Sequence, residues 1–156
     1  MRLSEVLQES TIQVDLDAID KWAAIDRLVD LLAACHAEIE RNPVLDAVLD
    51  REQQGSTGLE NGIAIPHARS NGVTNVVAAL GISKDGMDFD SADGKPCHLV
   101  FLVVAPTSQS TKYLQVLSTI ALLGGSPERL ARVRGAASAR DALTLLDEDG
   151  WQPTSQ

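Results

Sequence analysis

The 156-residue chain is short of cations: 13 Lys and Arg stand against 22 Asp and Glu, a formal net charge of −9. Such a chain repels nucleic-acid phosphates and anionic lipid unless its cations cluster, so neither is expected as a partner. Cysteine is scarce too. Cys35 and Cys97 lie far apart in apolar contexts and form no CxxC pair, so buried free thiols are expected rather than a redox or zinc motif. No apolar run approaches the roughly 20 residues of a membrane helix. The longest, Leu99 to Ala105, has the length of a buried strand. The opening MRLSEVLQES has no long apolar stretch and no small-residue cleavage site, so neither a secretory leader nor membrane insertion is expected, and a cytoplasmic location is. Walker A, GxGxxG and GxSxG patterns are missing, which leaves nucleotide binding and serine hydrolysis without support. The three histidines, His36, His67 and His98, have no zinc-like spacing, and neither a metal nor a cofactor is expected.

What is present suits one domain, with 44% hydrophobic and 22% charged residues. Residues 1–150 are read as that domain and 151–156 as a frayed tail. Thr11–Leu16 alternates apolar and polar residues and reads as a short half-buried strand. Asp17 is placed to cap a helix running to about Ala37, with Trp22, Ile25, Leu28, Val29, Leu32 and Cys35 at helical spacing. Asn42-Pro43 opens a second helix, which Gly55 ends. Ile63-Ala64-Ile65 is a short apolar run stopped by Pro66. Asn75–Ser83 and His98–Ala105 read as central strands, the second apolar at nearly every position, as burial on both faces requires. Lys112–Leu123 is helical with Leu114, Leu117, Ile120 and Ala121 inward. Ser126-Pro127 opens another helix, and Ser138 to Leu146 forms the last. Strands interleaved with helices indicate an α/β fold with a mixed central sheet and helices on both faces.

One segment is unlike the rest. Arg51-Glu52-Gln53-Gln54 precedes Gly55-Ser56-Thr57-Gly58-Leu59-Glu60-Asn61-Gly62, a glycine-rich stretch that reads as a loop. Ile63-Ala64-Ile65-Pro66-His67 follows. A strand end and a φ-locked proline hold the backbone of His67, which suits a residue that needs a fixed orientation. Arg51, the hydroxyls of Ser56 and Thr57 and the loop's backbone N–H groups are donors for an anion. A neutral imidazole among such donors can attack phosphorus near pH 7. On these residues alone His67 is either a structural histidine after a proline or such a nucleophile.

The unbroken run Arg51 to His67 resembles the phosphorylation-site signature of type-2 EIIA domains of the phosphoenolpyruvate:carbohydrate phosphotransferase system, the fructose/mannitol and nitrogen-related branch, and most of all its nitrogen-related members. Ala105-Pro106 and Leu114-Gln115-Val116-Leu117 match two later features of that family. The resemblance implies the mannitol/fructose-type EIIA fold. It implies that His67 takes phosphate from an HPr-type carrier protein, with Arg51 at the basic position near the phosphate and Ser56 and Thr57 in the adjoining loop. Onward partners would be an EIIB domain or a regulated target protein, for sugar uptake or for regulation, the latter favoured. At one position the chain departs from the family: Tyr113 stands where a second histidine is common, and a tyrosine hydroxyl donates a hydrogen bond but carries no positive charge. Two readings follow, a phosphoryl carrier working through phospho-His67, or a non-transferring module whose His67 pocket binds an anion or a partner. Arg129, Arg132, Arg134 and Arg140 form a basic cluster that reads as a solvated helix face.

Overall fold

The apolar run near the middle of the chain becomes the strand around which everything else is arranged. A computed structural model describes residues 1–148; the tail expected at 151–156 lies outside them. The strands are β1 (Ile12–Gln13), β2 (Ile63–Ala64), β3 (His67–Arg69), β4 (Val77–Met87) and β5 (Cys97–Ala105). The helices are α1 (Lys21–Cys35), α2 (Arg41–Gln53), α3 (Ser110–Leu123), α4 (Pro127–Arg134) and α5 (Ala139–Leu146). β4 and β5 pair antiparallel, β1 lies parallel to β4, and β2 and β3 follow each other along the far edge of β5, both parallel to it.

Alternation along β5 divides the interior in two. Leu99, Phe101, Val103 and Ala105 face a core shared with α3, α4 and α5, while Val100, Leu102 and Val104 face one shared with α1 and α2. The mixed sheet with helices on both faces is therefore as expected, and burial on both faces explains the unbroken apolar composition of β5.

Several boundaries differ from the sequence reading. Only Ile12–Gln13 of Thr11–Leu16 forms ladder strand, and Glu9–Thr11 is a 3-10 turn. Asp20, not Asp17, caps α1, its Oδ1 accepting from the Ala23 N–H at 2.9 Å. α2 starts at Arg41, which puts Pro43 third in the first turn, where an N–H has no helical acceptor to lose. β4 runs past Ser83 to Met87, because Lys84 and Asp85 continue the strand with exposed side chains. α3 is rotated from the expected phase: Tyr113, Val116, Ile120 and Leu123 are buried, Leu117 is half-buried, and Leu114 is 55% exposed and Ala121 exposed. Trp22 likewise lies off the buried stripe of α1.

Cys97 is buried, which pushes its thiol up to about 12, whereas Cys35 is only half-buried and donates to the Ser10 carbonyl. The arginine cluster is not simply solvated: Arg129 and Arg132 both hold Glu148, and Arg134 donates to the Lys84 carbonyl. Among the described residues, no helix is long and apolar enough to cross a membrane, and no three His, Cys, Asp or Glu side chains converge on a metal-sized site.

Candidate functional site

Pro66 breaks the edge strand of the sheet, and the break aims a histidine. β2 pairs with Leu99–Val100 and β3 with Val103–Ala105, leaving Ile65-Pro66 to bridge the gap. Proline has no N–H to give, but its carbonyl accepts from Val103 at 3.0 Å, so the edge stays anchored. His67 opens β3 half-buried, its Nδ1 2.6 Å from the Ile65 carbonyl oxygen. A carbonyl only accepts, so Nδ1 carries the proton and the neutral ring keeps its lone pair on Nε2. Burial holds the His67 pKa below the ordinary 6.5; the Ile65 hydrogen bond opposes this, the Arg51 charge adds to it, and the Glu52 charge opposes it. The ring is therefore neutral at pH 7 with Nε2 available as a nucleophile.

The glycine-rich stretch is more ordered than a plain loop. Gly58 pairs antiparallel with Ala64, the Leu59 N–H reaches the Ile63 carbonyl at 2.8 Å and the Ile65 N–H reaches the Thr57 carbonyl at 3.1 Å. Asn61 and Gly62 turn this small hairpin with φ of 64° and 81°, the pattern that Asn-Gly favours. Gly58 has no room for a side chain, since a Cβ would stand 2.7 Å from the Phe89 carbonyl oxygen.

Arg51, in the last turn of α2, donates from Nη1 to the Gly55 carbonyl at 2.9 Å and lies close enough to act electrostatically on both His67 and Tyr113. Ser56 and Thr57 are held differently. The Ser56 hydroxyl donates to the Phe89 carbonyl at 2.6 Å and accepts from the Gly58 N–H. The buried Thr57 hydroxyl donates to Glu52 Oε1 at 2.5 Å. Each hydroxyl has one proton, so in this conformation neither is offered to a group on His67. Both residues hold the hairpin in place.

Tyr113 faces the histidine. Its ring centroid is 6.2 Å from that of His67 at a tilt of 53°, and the residue is 5% exposed. Burial raises its pKa, against the opposing charges of Arg69 and Arg51, so the phenol remains a donor at neutral pH. Its hydroxyl makes no hydrogen bond to the protein among the described residues. The position thus packs into the core and also faces the His67 ring.

The sequence reading overlooked Arg69. Two residues beyond His67 on a strand, it emerges on the same side, and its Cζ lies 5.4 Å from the Tyr113 ring centroid, within cation–π range. The period of two was a usable signal. Also overlooked were Glu52, 2% exposed, and Lys21, whose Nζ lies 3.3 Å from Glu52 Oε2 and 2.9 Å from Asp90. The structure therefore brings His67, Arg51 and Tyr113 together and adds Arg69 against the Tyr113 ring, with the Arg51 charge reaching both His67 and Tyr113 and the Arg69 charge reaching Tyr113.

Residues 5–149 match the family model described as "Phosphoenolpyruvate-dependent sugar phosphotransferase system, EIIA 2". The chain is 39% identical over 123 residues to the fructose-specific EIIABC component of the phosphotransferase system of Bacillus subtilis. That match covers 79% of this chain but only 19% of the much longer relative. It is 34% identical over 149 residues to the fructose-specific EIIA component of Haloferax volcanii, covering 94% of this chain and 97% of that protein. Among solved structures, the nitrogen regulatory protein IIA-Ntr of Neisseria meningitidis superposes with a TM-score of 0.84 at 29% identity, covering 92% of this chain and 98% of that one.

Proposed function

Because the chain belongs to the EIIA type 2 family of the phosphoenolpyruvate-dependent sugar phosphotransferase system, we propose that it carries phosphate on Nε2 of His67. The phosphate comes from the phosphohistidine of an HPr-type carrier protein. The lone pair on Nε2 attacks phosphorus, the Nε2–P bond forms as the carrier's N–P bond breaks, and the carrier imidazole leaves with that electron pair. Nδ1 keeps its proton throughout, because the Ile65 carbonyl holds it. The arrangement relies on positioning and on charge stabilisation of the phosphoryl oxygens. Arg51 and Arg69 supply the positive charge, and the Tyr113 hydroxyl supplies a neutral donor at the position where the family resemblance implies a second histidine.

One observation carries this reading: the Nδ1 contact to a carbonyl in a half-buried, neutral histidine, which leaves a single nucleophilic nitrogen. Leu114, exposed and next to Tyr113 in the chain, offers the carrier an apolar contact. The onward acceptor is an EIIB-type domain in sugar uptake or a regulated target protein in regulation. Relatives named for fructose and for nitrogen regulation support both destinations. Incubation with labelled phosphoenolpyruvate, the general transfer enzyme and the carrier tests the proposal. Wild type should take up acid-labile, base-stable phosphate and His67→Ala should take up none. An added EIIB-type acceptor should drain the label if the destination is uptake and leave it in place if regulatory. A wild-type protein that never labels would favour the non-transferring binding module instead.

A further inference from the structure

We infer that Glu52 is a positioning residue, fixing the tautomer and orientation of His67 through the backbone of the hairpin. The inference rests on the phosphoryl-carrier reading for its kinetic consequence, but not for its structural one. Glu52 sits at the end of α2, withdrawn from water. A buried carboxylate is tolerated only when donors surround it, and three do here. Oε2 accepts from the Thr57 N–H at 2.9 Å and faces Lys21 Nζ at 3.3 Å, and Oε1 accepts from the Thr57 hydroxyl at 2.5 Å. Thr57 is thereby gripped at both its backbone and its side chain.

The grip passes to the imidazole in two further bonds. The Thr57 carbonyl accepts from the Ile65 N–H at 3.1 Å, and the Ile65 carbonyl accepts from His67 Nδ1 at 2.6 Å. A second arm leaves the same loop. Gly55, two residues before Thr57, offers the carbonyl that holds Arg51 Nη1 at 2.9 Å. One carboxylate therefore sets the placement of both His67 and the Arg51 guanidinium whose charge reaches it. Lys21 keeps the carboxylate in register from the far side, being itself held by Asp90 and flanked by the rings of Trp22 and Phe89 at 5.0 and 5.8 Å.

A carboxylate that merely stabilised the fold would change the melting temperature and leave the imidazole alone. Glu52→Gln and Thr57→Val separate the cases. In the first, the Thr57 N–H and the Lys21 ammonium share one neutral oxygen. The second removes only the hydroxyl bond and leaves the Lys21–Glu52 pair intact, so it decides the matter if Glu52→Gln does not fold. The readouts are the ring 15N shifts of His67 at pH 7.5 and the split between kcat and KM for transfer from the carrier. Wild type should show a single tautomer protonated at Nδ1. Glu52→Gln should show a mixture and a kcat lowered roughly tenfold with KM little changed, as misplacement of a reacting group produces. Thr57→Val should move both the same way by less. A folded variant with an unmixed tautomer and wild-type kcat would overturn the inference. Failure of wild type to accept phosphate would instead overturn the proposed function, and the 15N shifts would still judge Glu52.

Discussion

Tyr113 combines a ring that fills the core and faces His67, a hydroxyl with no protein hydrogen bond among the described residues, and the absence of a second imidazole, and three substitutions take these apart. Tyr113→Ala removes a ring that is 5% exposed and packed in the core beneath α3. Deleting a buried aromatic costs about 3–5 kcal/mol. At roughly 2–4 °C per kcal/mol for a domain of this size, Tm should fall by about 6–20 °C. Tyr113→Phe keeps the ring and removes a hydroxyl that makes no hydrogen bond to the protein among the described residues, so Tm should hardly move. Its effect should fall on transfer: a hydroxyl donating to a charged phosphoryl oxygen is worth about 1.5 kcal/mol at the low end, or roughly tenfold in rate. Tyr113→His restores the imidazole of the family pattern and should give a modest gain. The assay is the initial rate of label transfer from the phosphorylated carrier, with circular-dichroism melting alongside. Tyr113→Phe at the wild-type rate together with Tyr113→His no faster would refute the reasoning and leave Tyr113 as packing alone.

Arg51→Ala should slow phosphorylation by roughly 10-fold to 150-fold, the worth of one charged hydrogen bond to a phosphoryl oxygen, and Arg51→Lys should rescue it only partly because a point charge lacks the planar fork; stopped-flow or quench measurement of the transfer rate checks both. NMR titration should find the His67 midpoint below 6.5, the direction that burial imposes. That shift also bears on stability. As pH falls, the unfolded chain binds the proton first, near 6.5, so stability is undiminished by this group above that value and is lost between it and the depressed folded-state value. Denaturant melts across this range should show the loss in wild type and a flatter curve in His67→Gln.

The architecture was legible wherever burial on two faces forced a composition. Leu99 to Ala105 read as a central strand from its length and unbroken apolar composition, and Pro127 and Ser138 marked two helix starts through local chemistry. The phase of α3 was not legible, because Leu114 and Leu117 look as inward as Val116 until the sheet beneath chooses a face. The hairpin at Gly58–Ile65 was available in Asn61-Gly62 but was hidden by the glycine count, which reads as a loop. Within the site, His67, Arg51 and Tyr113 came from the signature run and from a departure from it. The partners of Ser56 and Thr57 could not be read locally. Ser56 meets a carbonyl 33 residues away, and Thr57 meets a carboxylate whose burial depends on Lys21 of a different helix. Arg69 lay two residues from His67 at strand spacing, yet its significance rests on a tyrosine brought over it by tertiary structure.

The most direct test of the account is the identity of the phosphorylated nitrogen. Uniformly 15N-labelled protein, phosphorylated through the carrier and observed by 15N–31P correlation, should show one phosphate bonded to Nε2 of His67 with the proton still on Nδ1. Phosphate on Nδ1, or on any residue other than His67, would contradict it.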